Sequence, residues 1–464
     1  MYVASKRAKQ YVSERRHSAK KNNSSQDMIY AEPRGFINFN CDGHNTDFFW
    51  LTESDFPVHR VIYIPLNAFE EQILNDNKIL SSKSVKYFPL PKPIKNKLPI
   101  NANDNYKKKE FQKVIRTFLA KQTYWYSFFR SSNIKIHLTW YKYDSNHMII
   151  ADAIREVGGI AAVWQMAFDG FTNYECRTNT DIVFGFSTFG ASLEKKIKSQ
   201  IPYYVITGLL NDYAAPLLKE ESFGIRRKLE EAGARKIVLV MDENSINDLR
   251  WHTGNTLQQE NYSYLLEKVL EVPWLGAVFK PKVASTLRKR LGPVAELLAA
   301  AEKTGRCFVF EESGRHNTSA PPLLLGLISD VCIHGHFSAG TAALECALQN
   351  LPTLLIDREG TKMSKFNELP EGKVVFDNWP ETIDAVMEHL QSESGIPGFG
   401  IWGNSFLREM DPFRDGKAAF RMGTYLKWLI DGFDQGIDRE TVMANAAEQY
   451  VGEWGADKVV SIGN

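Results

Sequence analysis

The chain has 464 residues, 44% of them hydrophobic and 24% charged, with a formal net charge of +1. That length allows two or three domains with buried cores, and the near-neutral charge argues against a dedicated nucleic-acid binder, which usually carries a basic domain. No stretch approaches the roughly 18 consecutive apolar residues of a membrane span, and the N-terminus lacks the apolar core of a secretory signal. Cys41, Cys176, Cys307, Cys332 and Cys346 are odd in number and lack CxxC spacing, so they read as reduced thiols, neither a disulfide frame nor a zinc site. The expected compartment is the cytosol.

Residues 1–28 carry seven Lys/Arg against two acids and little that could form a core. They read as a disordered basic tail, either a solvated leader or an electrostatic tether to anionic lipid. A strand is expected at 35–39, then a polar loop at 40–47 and a second strand at 61–64. A polar loop beyond a strand's carboxyl end is where open parallel sheets place their ligands. This one offers Asp42 and His44 as candidates to take a proton from a hydroxyl, or else it is a turn rich in Asx and Gly. Residues 75–113, with ten lysines and four prolines, read as an insertion or long exposed loop that could touch a membrane or an anionic acceptor. A helix follows at 111–129 and a strand at 134–140. Residues 148–170 read as a helix broken at Gly158 and Gly159. Strands at 181–186 and 203–207, with a helix at 192–199 between them, complete a βαβ pattern, so 29–218 is expected to be one Rossmann-like domain.

Residues 219–410 repeat the pattern. A helix at 220–233 leads to a strand at 236–241, which ends in Asp242-Glu243-Asn244-Ser245. A helix at 259–270 and a strand at 275–279 precede Lys280-Pro281-Lys282, and two ammonium groups at a strand's carboxyl end suit a pyrophosphate. The loop after a strand at 306–310 holds Arg315 and His316, which could stack on a base or reach phosphate. The stretch 329–357 then reads as strand, small-residue loop, helix and strand, at 330–333, 339–350 and 353–356. Ser338, Ala339, Gly340 and Thr341 open its helix with unobstructed N–H groups, and a helix start attracts phosphate through orphan donors and the helix dipole. A branched side chain at Gly340 is therefore expected to block phosphate while sparing the fold. Glu345, one turn on, could accept hydrogen bonds from sugar or ribose hydroxyls. His334 and His336 could donate to phosphate or sugar; without an acid-rich cluster they make a thin case for a metal. Helices at 381–390, 417–431 and 439–450 close the chain, the last opening after Asp438 as N-cap. The chain lacks GxxxxGK[ST], a GxGxxG after a first strand, HExxH and GxSxG.

The 329–357 unit resembles the C-terminal donor domain of GT-B glycosyltransferases, and with Lys280-Pro281-Lys282 and the run Asp411-Pro412-Phe413-Arg414-Asp415-Gly416 it belongs to a wider likeness. The wider region 234–455 is similar to bacterial surface carbohydrate biosynthesis proteins of that architecture. The resemblance implies an α/β fold of two Rossmann-like domains whose parallel sheets face each other across a cleft. It also implies that 411–464 holds helices packing back on the first domain. The implied activity is transfer of a sugar from a nucleotide-sugar co-substrate to a surface polysaccharide, glycan or lipid-linked acceptor, with no metal or other cofactor and no nucleic-acid partner. Peripheral contact with the inner face of the cell membrane goes with such an acceptor. Donor contacts would fall to Lys280, Lys282, Arg315, His316, His334, His336, Ser338, Ala339, Gly340, Thr341 and Glu345, and the acceptor's base to Asp42 or His44. Fold does not settle function: a nucleotide-sugar 2-epimerase, a polyol-phosphate transferase or a non-catalytic scaffold of a polysaccharide assembly complex would use the same frame.

Overall fold

The computed structural model describes residues 26–32, 47–65, 68–76, 78, 80–81, 105–142, 145–247, 254–310, 321–337 and 340–463. Among them two parallel sheets form. The first contains β1 (Met28–Ala31), β2 (Val61–Tyr63), β3 (Leu80–Ser81), β4 (Ile134–Thr139), β5 (Ile160–Trp164), β6 (Ile182–Gly185) and β7 (Ile201–Ile206). The second contains β8 (Lys236–Met241), β9 (Leu275–Lys280), β10 (Cys307–Val309), β11 (Val331–His334), β12 (Thr353–Ile356) and β13 (Val375–Phe376). A last strand, β14 (Val459–Ile462), returns to the first sheet and pairs antiparallel with β7. The orders are β14-β7-β6-β5-β4-β1-β2-β3 and β10-β9-β8-β11-β12-β13.

The reason is in the strands themselves. Ile-Val-Leu-Val-Met in β8 and Val-Cys-Ile-His in β11 are buried throughout, the unbroken apolar run that a strand covered by helices on both faces requires. Parallel pairing aligns the carboxyl ends of β1–β7 along one edge of the first sheet and those of β8–β13 along one edge of the second.

Three expectations change. The first described strand is 28–31, and Met28, placed in the expected tail, is buried; the strand expected at 35–39 lies outside the described residues. Residues 160–164 form β5 rather than the continuation of a helix. The helix Ser145–Glu156 ends at Gly158, whose φ of +76° few other residues tolerate, and a Cβ on Gly159 would lie 2.6 Å from the Lys135 carbonyl. Of the expected insertion, 80–81 is β3 and 105–113 belongs to the helix Asn105–Ser131, while 82–104 lies outside the described residues.

The C-terminal helices Ala418–Asp434 and Arg439–Trp454 pack against the first sheet, with Asp438 capping the second through the Thr441 amide. Tyr450 donates to the Ile206 carbonyl at 2.7 Å, and Tyr425 meets Phe184 edge-on. A single apolar cluster runs from Ile136 and Val205 through Tyr425 and Leu429 to Leu344 and Phe366, so the two halves share a core.

Candidate functional site

The carboxyl edge of the second sheet gathers the polar groups. Asp242, at the end of β8, is buried and accepts from the Tyr262 hydroxyl at 2.8 Å, the Lys282 amide at 2.5 Å and the Gln258 side chain. Burial pushes its carboxyl pKa up, opposed by the hydrogen bonds from the Lys282 amide and the Tyr262 hydroxyl. The bonds fix the turn after β9, so Lys280 and Lys282 emerge from a rigid base. Lys280 is 5% exposed, its Nζ 3.1 Å from the Pro281 carbonyl and 6.0 Å from the Phe310 ring centre. Lys282 projects outward, 3.8 Å from Glu243.

The two histidines at the end of β11 are held by tautomer. Asn261 takes the Trp379 indole N–H and the Arg358 guanidinium on its oxygen, so its amide nitrogen faces His336 Nε2 at 2.8 Å. Nε2 therefore accepts, Nδ1 carries the proton, and it donates to Glu359 at 3.1 Å. In His334 the Nδ1 lies 2.6 Å from the His336 carbonyl, a separation that needs the proton on Nδ1. His334 Nε2 is then a lone-pair acceptor, buried and without a partner among the described residues. Burial lowers the His334 pKa to about 4, so the ring is neutral at pH 7. The expected donation of imidazole N–H to phosphate gives way to an acceptor.

Glu345 completes the edge. It is 6% exposed, and its Oε2 also has no partner among the described residues. Burial raises its pKa to about 7, against the Asn211 side-chain hydrogen bond and the charges of Lys280 and Lys282. Asn211 belongs to the loop after β7, so Glu345 faces the first sheet. That loop is pinned by Asp411, which accepts from the Leu209 amide at 2.9 Å. Other contacts across the halves are Phe168 N–H to Thr341 Oγ1 at 2.8 Å and the Lys365 amide to the Gly170 carbonyl at 2.9 Å. The space beside Gly340 is filled: a Cβ there would lie 2.0 Å from the Phe366 ring, so its lack of a side chain serves packing.

Lys280, Lys282, His334, His336, Gly340, Thr341 and Glu345 thus share one edge. Asp42, His44, Arg315, His316, Ser338 and Ala339 lie outside the described residues. Sequence reasoning missed Asn211, Asp242 and the Asn261–Glu359 pair; only the Asp242 position, at a strand's carboxyl end, carried a signal. No group of His, Cys, Asp and Glu suited to a metal occurs among the described residues.

No family model matches the sequence, and no curated protein matches it. The fold is similar to that of Staphylococcus aureus MnaA determined with UDP, with a TM-score of 0.50 and 11% identity over 88% of this chain and 97% of that one. A UDP-GlcNAc 2-epimerase from Methanocaldococcus jannaschii has a TM-score of 0.48 and 12% identity, covering 87% of this chain and all 100% of its own. A glycosyltransferase from Rickettsia africae has 0.44 and 11%, covering 92% and 99%. At such identity the likeness is one of fold, and that fold is GT-B.

Proposed function

We propose that this protein is a glycosyltransferase that moves a sugar from a nucleotide-activated donor to a surface polysaccharide or glycolipid acceptor. The observation that carries the reading is the apposition, at one carboxyl edge, of Lys280 and Lys282 with two buried polar atoms that lack partners among the described residues, His334 Nε2 and Glu345 Oε2. Buried polar atoms without partners are costly, and a polyhydroxylated ligand would supply them. UDP in the S. aureus MnaA structure supports a nucleoside diphosphate in this architecture.

In the reaction an acceptor hydroxyl oxygen bonds to the anomeric carbon while the bond from that carbon to the phosphate oxygen breaks. Its electron pair leaves with the nucleotide, and Lys280 and Lys282 offset the charge. His334 Nε2 accepts from a donor hydroxyl, and Glu345 holds another against Asn211. The hydroxyl proton goes to Asp42 or His44 in our assignment. No metal enters this scheme.

A second reading, 2-epimerisation of a nucleotide sugar, draws on the Glu345 carboxyl, which titrates near 7 and can both take and give a proton. Consumption of free nucleotide sugar with no acceptor present would identify it. The test of both is thermal stabilisation by UDP-, GDP-, CMP-, CDP- and dTDP-linked sugars. A ligand at about 100 times its Kd adds about 2.7 kcal/mol. Stabilisation by one nucleotide class, reduced in Lys282→Ala and His334→Ala, is expected; no stabilisation by any of them overturns the proposal.

A further inference from the structure

The helix Asn105–Ser131 is far longer than the strand it precedes, and its two halves have different surroundings. Its C-terminal part is core: Phe128 and Phe129 are fully buried, and Trp125 lies 5.9 Å from Tyr30 of β1. Residues N-terminal of Trp125, at about 1.5 Å each, extend some 30 Å past that level, beyond the carboxyl edge of the first sheet. None of residues 109–118 is buried. Yet Phe111, Val114, Ile115 and Phe118 follow the i, i+3, i+4, i+7 spacing of one apolar stripe. Phe111 is 49% and Val114 62% exposed. The sequence of 107–121 carries Lys107, Lys108, Lys109, Lys113, Arg116 and Lys121 against the one acid Glu110.

We infer that the projecting half of this helix is a docking surface for an anionic phospholipid bilayer. An apolar stripe set among cations is the pattern that lies in a membrane interface, apolar side chains among acyl chains and ammonium groups against phosphates. The charge decides for lipid over a second copy of the chain, whose identical cationic face would repel. No described helix is long and apolar enough to cross a membrane, so the contact is peripheral. The same helix reaches the acceptor side. Lys121 Nζ donates at 2.6 Å to Asn146, which with Glu32, Trp140, Tyr141 and His147 lines a cavity of about 320 Å³ at the carboxyl ends of β1 and β4. On the proposed transferase reading, a lipid-linked acceptor seated in the bilayer would present its glycan there; the bilayer contact itself stands without that reading.

The test is co-sedimentation of the full chain with vesicles of one part phosphatidylglycerol to two parts phosphatidylcholine, and with pure phosphatidylcholine. Binding to the anionic vesicles alone is expected, weakening as salt rises from about 0.1 M to about 0.5 M. Phe111→Asp with Val114→Asp should reduce it by about tenfold or more. Lys113→Glu with Arg116→Glu should reduce it by about fivefold per cation at low salt. Circular dichroism and unchanged stabilisation by nucleotide sugar serve as folding and site controls, and a variant lacking residues 1–25 should still bind. The inference is overturned by absence of vesicle binding, by equal binding to both vesicles, by full binding in the Asp variant, by loss on removing the tail alone, or by concentration-dependent dimerisation that the Asp variant abolishes. If no nucleotide sugar stabilises the protein while vesicle binding holds, the transferase reading fails and the docking surface stands.

Discussion

Glu345 links the chemistry of the site to its stability. Burial raises its folded pKa to about 7, above the ordinary 4.5, so the folded state holds that proton more tightly than the unfolded chain. The stability this lends is complete below about 4.5 and is lost as pH rises to about 7. Wild type should therefore fall behind Glu345→Gln across that window, by up to about 3 kcal/mol in urea unfolding at pH 8 relative to pH 4.5. Asp212, raised to about 8 by burial and by Asp411, slopes the same way, but it is common to both proteins and cancels in the difference. A pH-independent difference would show that Glu345 stays ionised. Gly340 is the second decisive residue. Phe366 is 1% exposed, stacked on Phe168 at 4.9 Å and edge-on to Trp402 at 5.2 Å, so its ring has nowhere to go. Gly340→Ala should cost about 1–3 kcal/mol in denaturant unfolding and be relieved by Phe366→Leu. An alanine variant as stable as wild type would refute the packing role.

Among the connecting elements, the turn at 411–416 has more to do than close a helix. Asp411, 1% exposed, accepts from the amides of Phe413 and Arg414 as well as that of Leu209. Gly208, at φ +92°, approaches so closely that a Cβ would sit 2.9 Å from the Asp411 carboxylate. One side chain thus joins the start of the C-terminal helices to the loop carrying Asn211. Asp411→Ala leaves three amide donors without it and should destabilise by about 3 kcal/mol or more in chemical unfolding. Nucleotide-sugar affinity should fall with it, since Asn211 loses its anchor; unchanged affinity in the folded variant would separate the turn from the site.

At the scale of the molecule, the return of the chain end to the first sheet is the feature that ties beginning to end. Ile462 is 2% exposed among Val183, Ile201 and Ile206, and Arg60 pairs with Asp434 through two hydrogen bonds of 2.9 and 2.8 Å. Ile462→Ala should cost about 2–4 kcal/mol. A thermal transition left unmoved would mean that β14 adds nothing to the fold.

The strands at 236–241 and 353–356 were legible residue for residue, because a run covered on both faces must be apolar throughout and turn signals bound it. That Lys280, Lys282 and Glu345 would lie near one another was legible for a related reason: a parallel sheet brings its strands' carboxyl ends together, so polar residues there meet. Local pattern failed where partners lie far off in the chain. Ile-Ala-Ala-Val-Trp reads equally as helix or strand, and pairing with β4 and β6 decided it. The tautomer of His336 depends on Asn261, 75 positions away, and the space at Gly340 on Phe366. Short edge strands such as β13 and β14 have too few residues to show a period, and neighbouring strands alone call them into being.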